Sequence, residues 1–117
     1  MKINEYMKWT GNTCAKLDTQ VLDTVHMLFG MTTEIGELMD IFKKQIAYDK
    51  AIDWVNVEEE IGDIMFYLAS FCRILGLDLE KILQKNIGKL ESRYPEKFTE
   101  YYANNRDLKT ERKILES

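Results

Sequence analysis

Apolar residues recur at steps of three and four through most of the chain, and nowhere do apolar and polar residues alternate as they do along a strand. The spacing predicts a first helix over roughly residues 3 to 16, with Ile3, Tyr6, Met7 and Cys14 on its apolar side and Gly11-Asn12 as a weak point in its middle. Asp18 and Thr19 are N-cap candidates for a long second helix running to about Ala47. Its apolar set is Val21, Leu22, Val25, Leu28, Phe29, Leu38, Ile41, Phe42 and Ile46. Gly30 and Gly36 interrupt that set; a helical glycine costs about 0.5–1 kcal/mol against alanine, so these positions mark a close backbone approach or a bend.

After a turn at Tyr48 to Lys50, Asp53 is the expected cap of a third helix over about 54–75, with Val57, Ile61, Ile64, Leu68, Phe71 and Leu75 as its core stripe and Gly76 as its stop. Asp78 would cap a fourth helix from about Leu79 to Arg93, ended by Tyr94-Pro95. Glu96 to Ser117 is polar and charged, which suggests a loop followed by a weak or partner-dependent helix. The expected fold class is therefore all-α, a four-helix bundle with short connections.

Composition narrows the classes of function. At 117 residues the chain fits a single domain, and 45% apolar with 31% charged residues is the balance of a helix-rich globular protein. A formal net charge of −4 argues against a protein that holds a nucleic-acid backbone. Cys14 and Cys72 lie far apart and form no Cys-x-x-Cys pair, so they are expected as reduced, packed thiols rather than a disulfide or zinc framework. No stretch of signal-peptide character opens the chain and none approaches the roughly 20 apolar residues of a membrane span. A cytoplasmic location with no membrane partner is the expectation.

One phrase occurs twice, as Glu34-Ile35-Gly36-Glu37 and Glu60-Ile61-Gly62-Asp63. On a helix, carboxylates three residues apart share a face. Two such helices side by side would converge four acids, and bringing these together in an apolar setting is costly unless protons or cations compensate. Oxygen-only donors select a hard cation, Mg²⁺ with Mn²⁺ as a substitute, over zinc. A di-iron bundle needs Glu-x-x-His on two helices, and the one histidine, His26, has no acid at that spacing; it is expected as a packing residue. On the predicted fourth helix Asn86, Lys89 and Arg93 fall on one stripe, flanked by Lys85, a set able to grip phosphate oxygens or simply to complement the helix C-terminus. Tyr67 lies one turn beyond Asp63 on the same face, where its hydroxyl would reach a substrate oxygen. No glycine-rich phosphate loop is present.

Together these residues resemble the MazG-type nucleoside triphosphate pyrophosphohydrolases of the all-α superfamily that includes dimeric dUTPases and dCTP pyrophosphatases. The likeness rests on Glu34-x-x-Glu37 and Glu60-x-x-Asp63, on Asn4-Glu5-Tyr6, on Phe29-Gly30, and on Asn86-Ile-Gly-Lys89-Leu-Glu-Ser-Arg93-Tyr94-Pro95-Glu-Lys-Phe98. It covers residues 3 to 99, leaving 100–117 as a polar tail, and departs at Thr32-Thr33, where the family often has Ala or Glu. The resemblance implies hydrolysis of an NTP or dNTP between its α and β phosphates, with Glu34, Glu37, Glu60 and Asp63 holding Mg²⁺ and acting in catalysis. It further implies that Asn86, Lys89 and Arg93, with Tyr67 and Lys44, contact the nucleotide, and that a homodimer or homotetramer completes the bundle. A catalytically silent nucleotide-binding or adaptor module of the same fold is the alternative.

Overall fold

Short-range hydrogen bonds set most helix ends. The structure, a computed structural model, describes residues 1–117. Helix α2 (Gln20–Tyr48) begins where the Thr19 hydroxyl accepts the Leu22 N–H at 3.1 Å. It stops at Asp49, whose left-handed φ of 52° brings the Lys50 N–H to the Lys44 carbonyl at 3.2 Å. Helix α3 (Trp54–Ile74) is capped by Asp53, which accepts the N–H groups of Val55 and Asn56. Its end is closed by Gly76 at φ 68°, with the Leu77 N–H on the Cys72 carbonyl at 2.8 Å. Asp78 then caps α4 (Leu79–Arg93) through the Lys81 N–H.

The first helix is shorter than the spacing predicts. Helix α1 spans Ile3–Trp9 and gives way to a single 3-10 turn, Thr10–Asn12. Gly11-Asn12 weakens the helix locally, and tertiary contact settles the matter. The fully buried Thr10 donates its hydroxyl to the Met7 carbonyl at 2.6 Å and accepts Arg73 Nε from α3 at 3.1 Å. Beyond Pro95 the expected loop and weak helix are two helices, α5 (Glu100–Asn104) and α6 (Leu108–Glu116). The chain is all-helical, and no helix is long and apolar enough to cross a membrane.

Two compact units emerge, Met1–Leu77 and Asp78–Ser117. In the first, α2 and α3 pack along each other and α1 packs on α3, burying Met27, Val57, Ala69 and Cys72. Much of the expected apolar set of α2 stays outside this core: Val21, Phe29 and Ile46 are 72%, 67% and 84% exposed. Val21, Leu28, Ile35, Met39 and Ile46 form a stripe of their own along the helix, and Leu38, Met39, Phe42, Ile46 and Ala47 border an apolar hollow of about 510 Å³. Helix α2 is thus apolar on two faces, of which α3 covers one. In the second unit α4 packs against α6, with Gly88 leaving room for the Ile114 side chain and Lys85 Nζ donating to the Leu115 carbonyl at 3.0 Å.

Candidate metal and nucleotide site

Three of the four acids that the repeated phrase would bring together, Glu34 and Glu37 on α2 and Glu60 on α3, converge. One carboxylate oxygen from each lies within 4.8 Å of the other two. Glu37 is exposed, Glu34 half-buried, and Glu60 only 5% exposed. Oε2 of Glu34 and Oε2 of Glu60 are both buried without a hydrogen-bond partner. Buried acceptors of this kind ordinarily find a donor or a cation. The Glu34 carboxylate against it, burial and the charge of Glu37 push the Glu60 carboxyl up to about 8. At neutral pH the cluster thus takes up a proton, or a cation that does the same work.

Asp63 stands outside this group of three. From Glu60 it is three residues on, about 60° around the helix and one methylene shorter, and it is exposed. Its charge falls on two tyrosines: burial and Asp63 raise the Tyr6 hydroxyl, and burial followed by Glu34, Asp63 and Glu37 raises that of Tyr67. The Tyr67 ring lies against Gly30 of α2, which is buried. His26, one turn earlier on α2, meets the same ring edge-on at a centroid distance of 6.4 Å. Its Nδ1 is buried and unpartnered. Thr32 and Thr33, where the chain departs from the family pattern, turn their hydroxyls onto the Leu28 and Gly30 carbonyls of their own helix.

Lys44 lies two turns beyond Glu37 on α2, about 10 Å along the axis. It is ion-paired to Asp40 at 2.9 Å, and Lys43 shares the same acid at 3.1 Å. These two contacts hold the Asp40 carboxyl below the usual carboxylate range. Both lysines are exposed.

On α4, in the other unit, Asn86 is exposed and Lys89 half-buried. Arg93 is bonded through Nη2 and Nε to Glu111 of α6, at 2.9 and 3.4 Å. Arg106 grips the same acid at 2.9 and 3.3 Å. Glu111 is 3% exposed, and the two guanidinium groups, Arg106 foremost, hold its carboxyl down to about 2. Arg106 and Glu111 lie in the segment whose pattern carried no motif, and no spacing rule connects Arg93 to an acid eighteen residues away.

A family model described as the MazG nucleotide pyrophosphohydrolase domain matches residues 24–98. The matched stretch contains the four acids, Tyr67, Lys44 and the Asn86, Lys89, Arg93 stripe, and leaves α1, α5 and α6 outside. The chain is 35% identical over 75 residues to "Gene 37 protein" of Mycobacterium phage L5, an alignment covering 58% of this chain and 63% of that protein. It therefore spans less than two thirds of that relative's length. No solved structure matches.

Proposed function

The chain belongs to the MazG nucleotide pyrophosphohydrolase family, and we propose from that membership that it hydrolyses a nucleoside triphosphate between the α and β phosphates, releasing a nucleoside monophosphate and pyrophosphate. Removal of non-canonical or excess nucleotides is the role this reading assigns to it. The observation that carries it is the convergence of Glu34, Glu37 and Glu60 from two helices, with two buried oxygens left without partners.

That donor set fits a hard divalent cation. It offers oxygens alone, from three carboxylates that meet within 4.8 Å of one another. Glu34, Glu37 and Glu60, with Asp63 beside them, are the residues that would hold Mg²⁺ or Mn²⁺. When bound, the ion supplies neutralisation of phosphate charge and a lowered pKa for water. A carboxylate of the set orients the attacking water and takes its proton. Tyr67 offers a hydroxyl to a substrate oxygen, and Lys44, exposed on the same helix as Glu37, is free to exchange Asp40 for a phosphate. Asn86, Lys89 and Arg93 are assigned to the nucleotide on the strength of the family motif. A second copy of the chain is the proposed cover for the apolar stripe of α2, giving a homodimer or homotetramer.

Purified protein incubated with a panel of NTPs and dNTPs plus Mg²⁺ is expected to release pyrophosphate. Release should vanish in Glu37→Gln and in Asp63→Asn. Nucleotide binding without release from the unaltered protein would instead identify a silent module of the same fold.

A further inference from the structure

We propose that the hollow between the start of α2 and the end of α3 binds a free α-amino acid with an apolar side chain, its carboxylate held by Arg73 and its ammonium by Asp23. The hollow lies wholly within the unit Met1–Leu77 and apart from the three converging acids. Arg73 is ten residues beyond Asp63 on α3, and Asp23 is eleven before Glu34 on α2, each about 15–16 Å along its helix axis.

The hollow holds about 400 Å³, a volume suited to a small molecule. Four charged side chains line it, Lys16 and Arg73 against Asp18 and Asp23, so its formal charges cancel and no anion is called for. Yet the opposite charges do not meet, for neither cation forms an ion pair with either acid. Two of the four are fixed from behind. Arg73 donates Nε to the buried Thr10 hydroxyl at 3.1 Å, and its stem runs beside Gly11, where a Cβ would stand 3.5 Å from Cδ and Nε. That bond sets the guanidinium plane and leaves both Nη groups without an acceptor. Asp23, 9% exposed, accepts the Leu17 N–H on Oδ1 at 2.6 Å, while its Oδ2 is unbonded and is not sealed off by protein.

A buried carboxylate and a half-buried guanidinium each lack an opposite charge, and they are held too far apart to supply it to each other. A ligand that carries both signs on one carbon bridges them. Its carboxylate takes the paired Nη donors of Arg73, and its ammonium donates to Oδ2 of Asp23. The start of α2 adds partial positive charge on the carboxylate side. Leu17 and Ile74 line the same hollow and offer apolar surface to the ligand's side chain. An inorganic anion would satisfy Arg73 alone, and a simple amine Asp23 alone.

The test uses the full chain and leucine as the probe. Two part-molecules serve as controls: isocaproate, which lacks the ammonium, and isoamylamine, which lacks the carboxylate. Calorimetric titration and the melting temperature are read for each compound. Leucine is expected to bind about tenfold tighter than either control and to raise the melting temperature where they do not. Asp23→Asn keeps an oxygen for the Leu17 N–H and loses the charge, so leucine should fall to the affinity of isocaproate. Arg73→Gln should weaken leucine about tenfold, the loss of one charge-assisted pair, and Arg73→Lys should recover part of it. If Arg73→Gln unfolds with the lost Thr10 bond, Asp23→Asn decides alone. No binding of leucine, an equal response to all three compounds, or leucine binding unchanged in Asp23→Asn each overturns the proposal. None of these readouts involves pyrophosphate release, so their failure is distinguishable from failure of the hydrolase reading.

Discussion

Gly30 and Tyr67 occupy space that a side chain at position 30 would contest. A Cβ there would fall 2.2 Å from Cε1 of the tyrosine ring. The glycine that interrupts the apolar pattern of α2 therefore lets an α3 side chain lie close against the helix backbone, with its hydroxyl within the field of Glu34, Asp63 and Glu37.

Gly30→Ala is expected to destabilise the fold by about 1–3 kcal/mol through overpacking, despite the roughly 1 kcal/mol that alanine adds to helix propensity. Gly36 and Gly62 supply the control: a Cβ at either meets nothing within 4 Å. Alanine at those positions should stabilise by about 0.5–1 kcal/mol. Urea denaturation decides, and a Gly30→Ala protein as stable as the other two would show that Tyr67 does not need that seat.

The elevated Glu60 carboxyl makes a signed prediction for pH. Its ordinary value of 4.5 rises to about 8 in the fold, so the metal-free native state holds a proton that the unfolded chain releases between those limits. The associated stability is complete below 4.5 and declines as pH climbs toward 8. Glu60→Gln should flatten the decline when thermal midpoints are followed across this range. Mg²⁺ at a hundred times its Kd should add about 2.7 kcal/mol at the alkaline end. A midpoint that ignores Mg²⁺ at pH 8 in the unaltered protein, or responds equally in Glu34→Gln, would remove the acids from metal binding.

Glu111 predicts the opposite slope at acid pH. Held down from 4.5 to about 2 by Arg106 and Arg93, it contributes stability that is complete above 4.5 and fades as pH falls toward 2. Glu111→Gln should melt at a lower temperature than the unaltered chain at pH 7, with the difference narrowing below pH 4. Limited proteolysis beyond Pro95 gives a local readout, faster in the variant as α6 loosens. Equal cleavage rates would mean that packing of Ile114 against Gly88 holds α6 without the ion pairs.

The exposed apolar stripe of α2 predicts assembly. Met39 is 66% exposed on the edge of the hollow it shares with Phe42 and Ile46. Met39→Glu would place a charge in that patch and is expected to shift the sedimentation coefficient to that of a single chain while helical content by circular dichroism is retained. An unaltered protein that sediments as a monomer at all concentrations would contradict the proposed cover.

The bounds of α2, α3 and α4 were legible in the chain because their signals are local. Thr19, Asp53 and Asp78 each bond an N–H two or three residues on, and Gly76 closes a turn that needs positive φ, so three or four residues of context suffice. The pairing of Glu34 with Glu37 on one face was equally local, a matter of helical repeat. Periodicity does not set how a helix is rotated against its neighbour, and the remainder turned on that rotation. It brought Glu60 to Glu34 and Glu37 while leaving Asp63 outside, and it left Val21, Phe29 and Ile46 exposed although they read as core. Nor does local spacing announce partners far along the chain. Arg73 ended the first helix by meeting Thr10, and Glu111 took hold of Arg93, through contacts that exist only once the chain has folded back on itself.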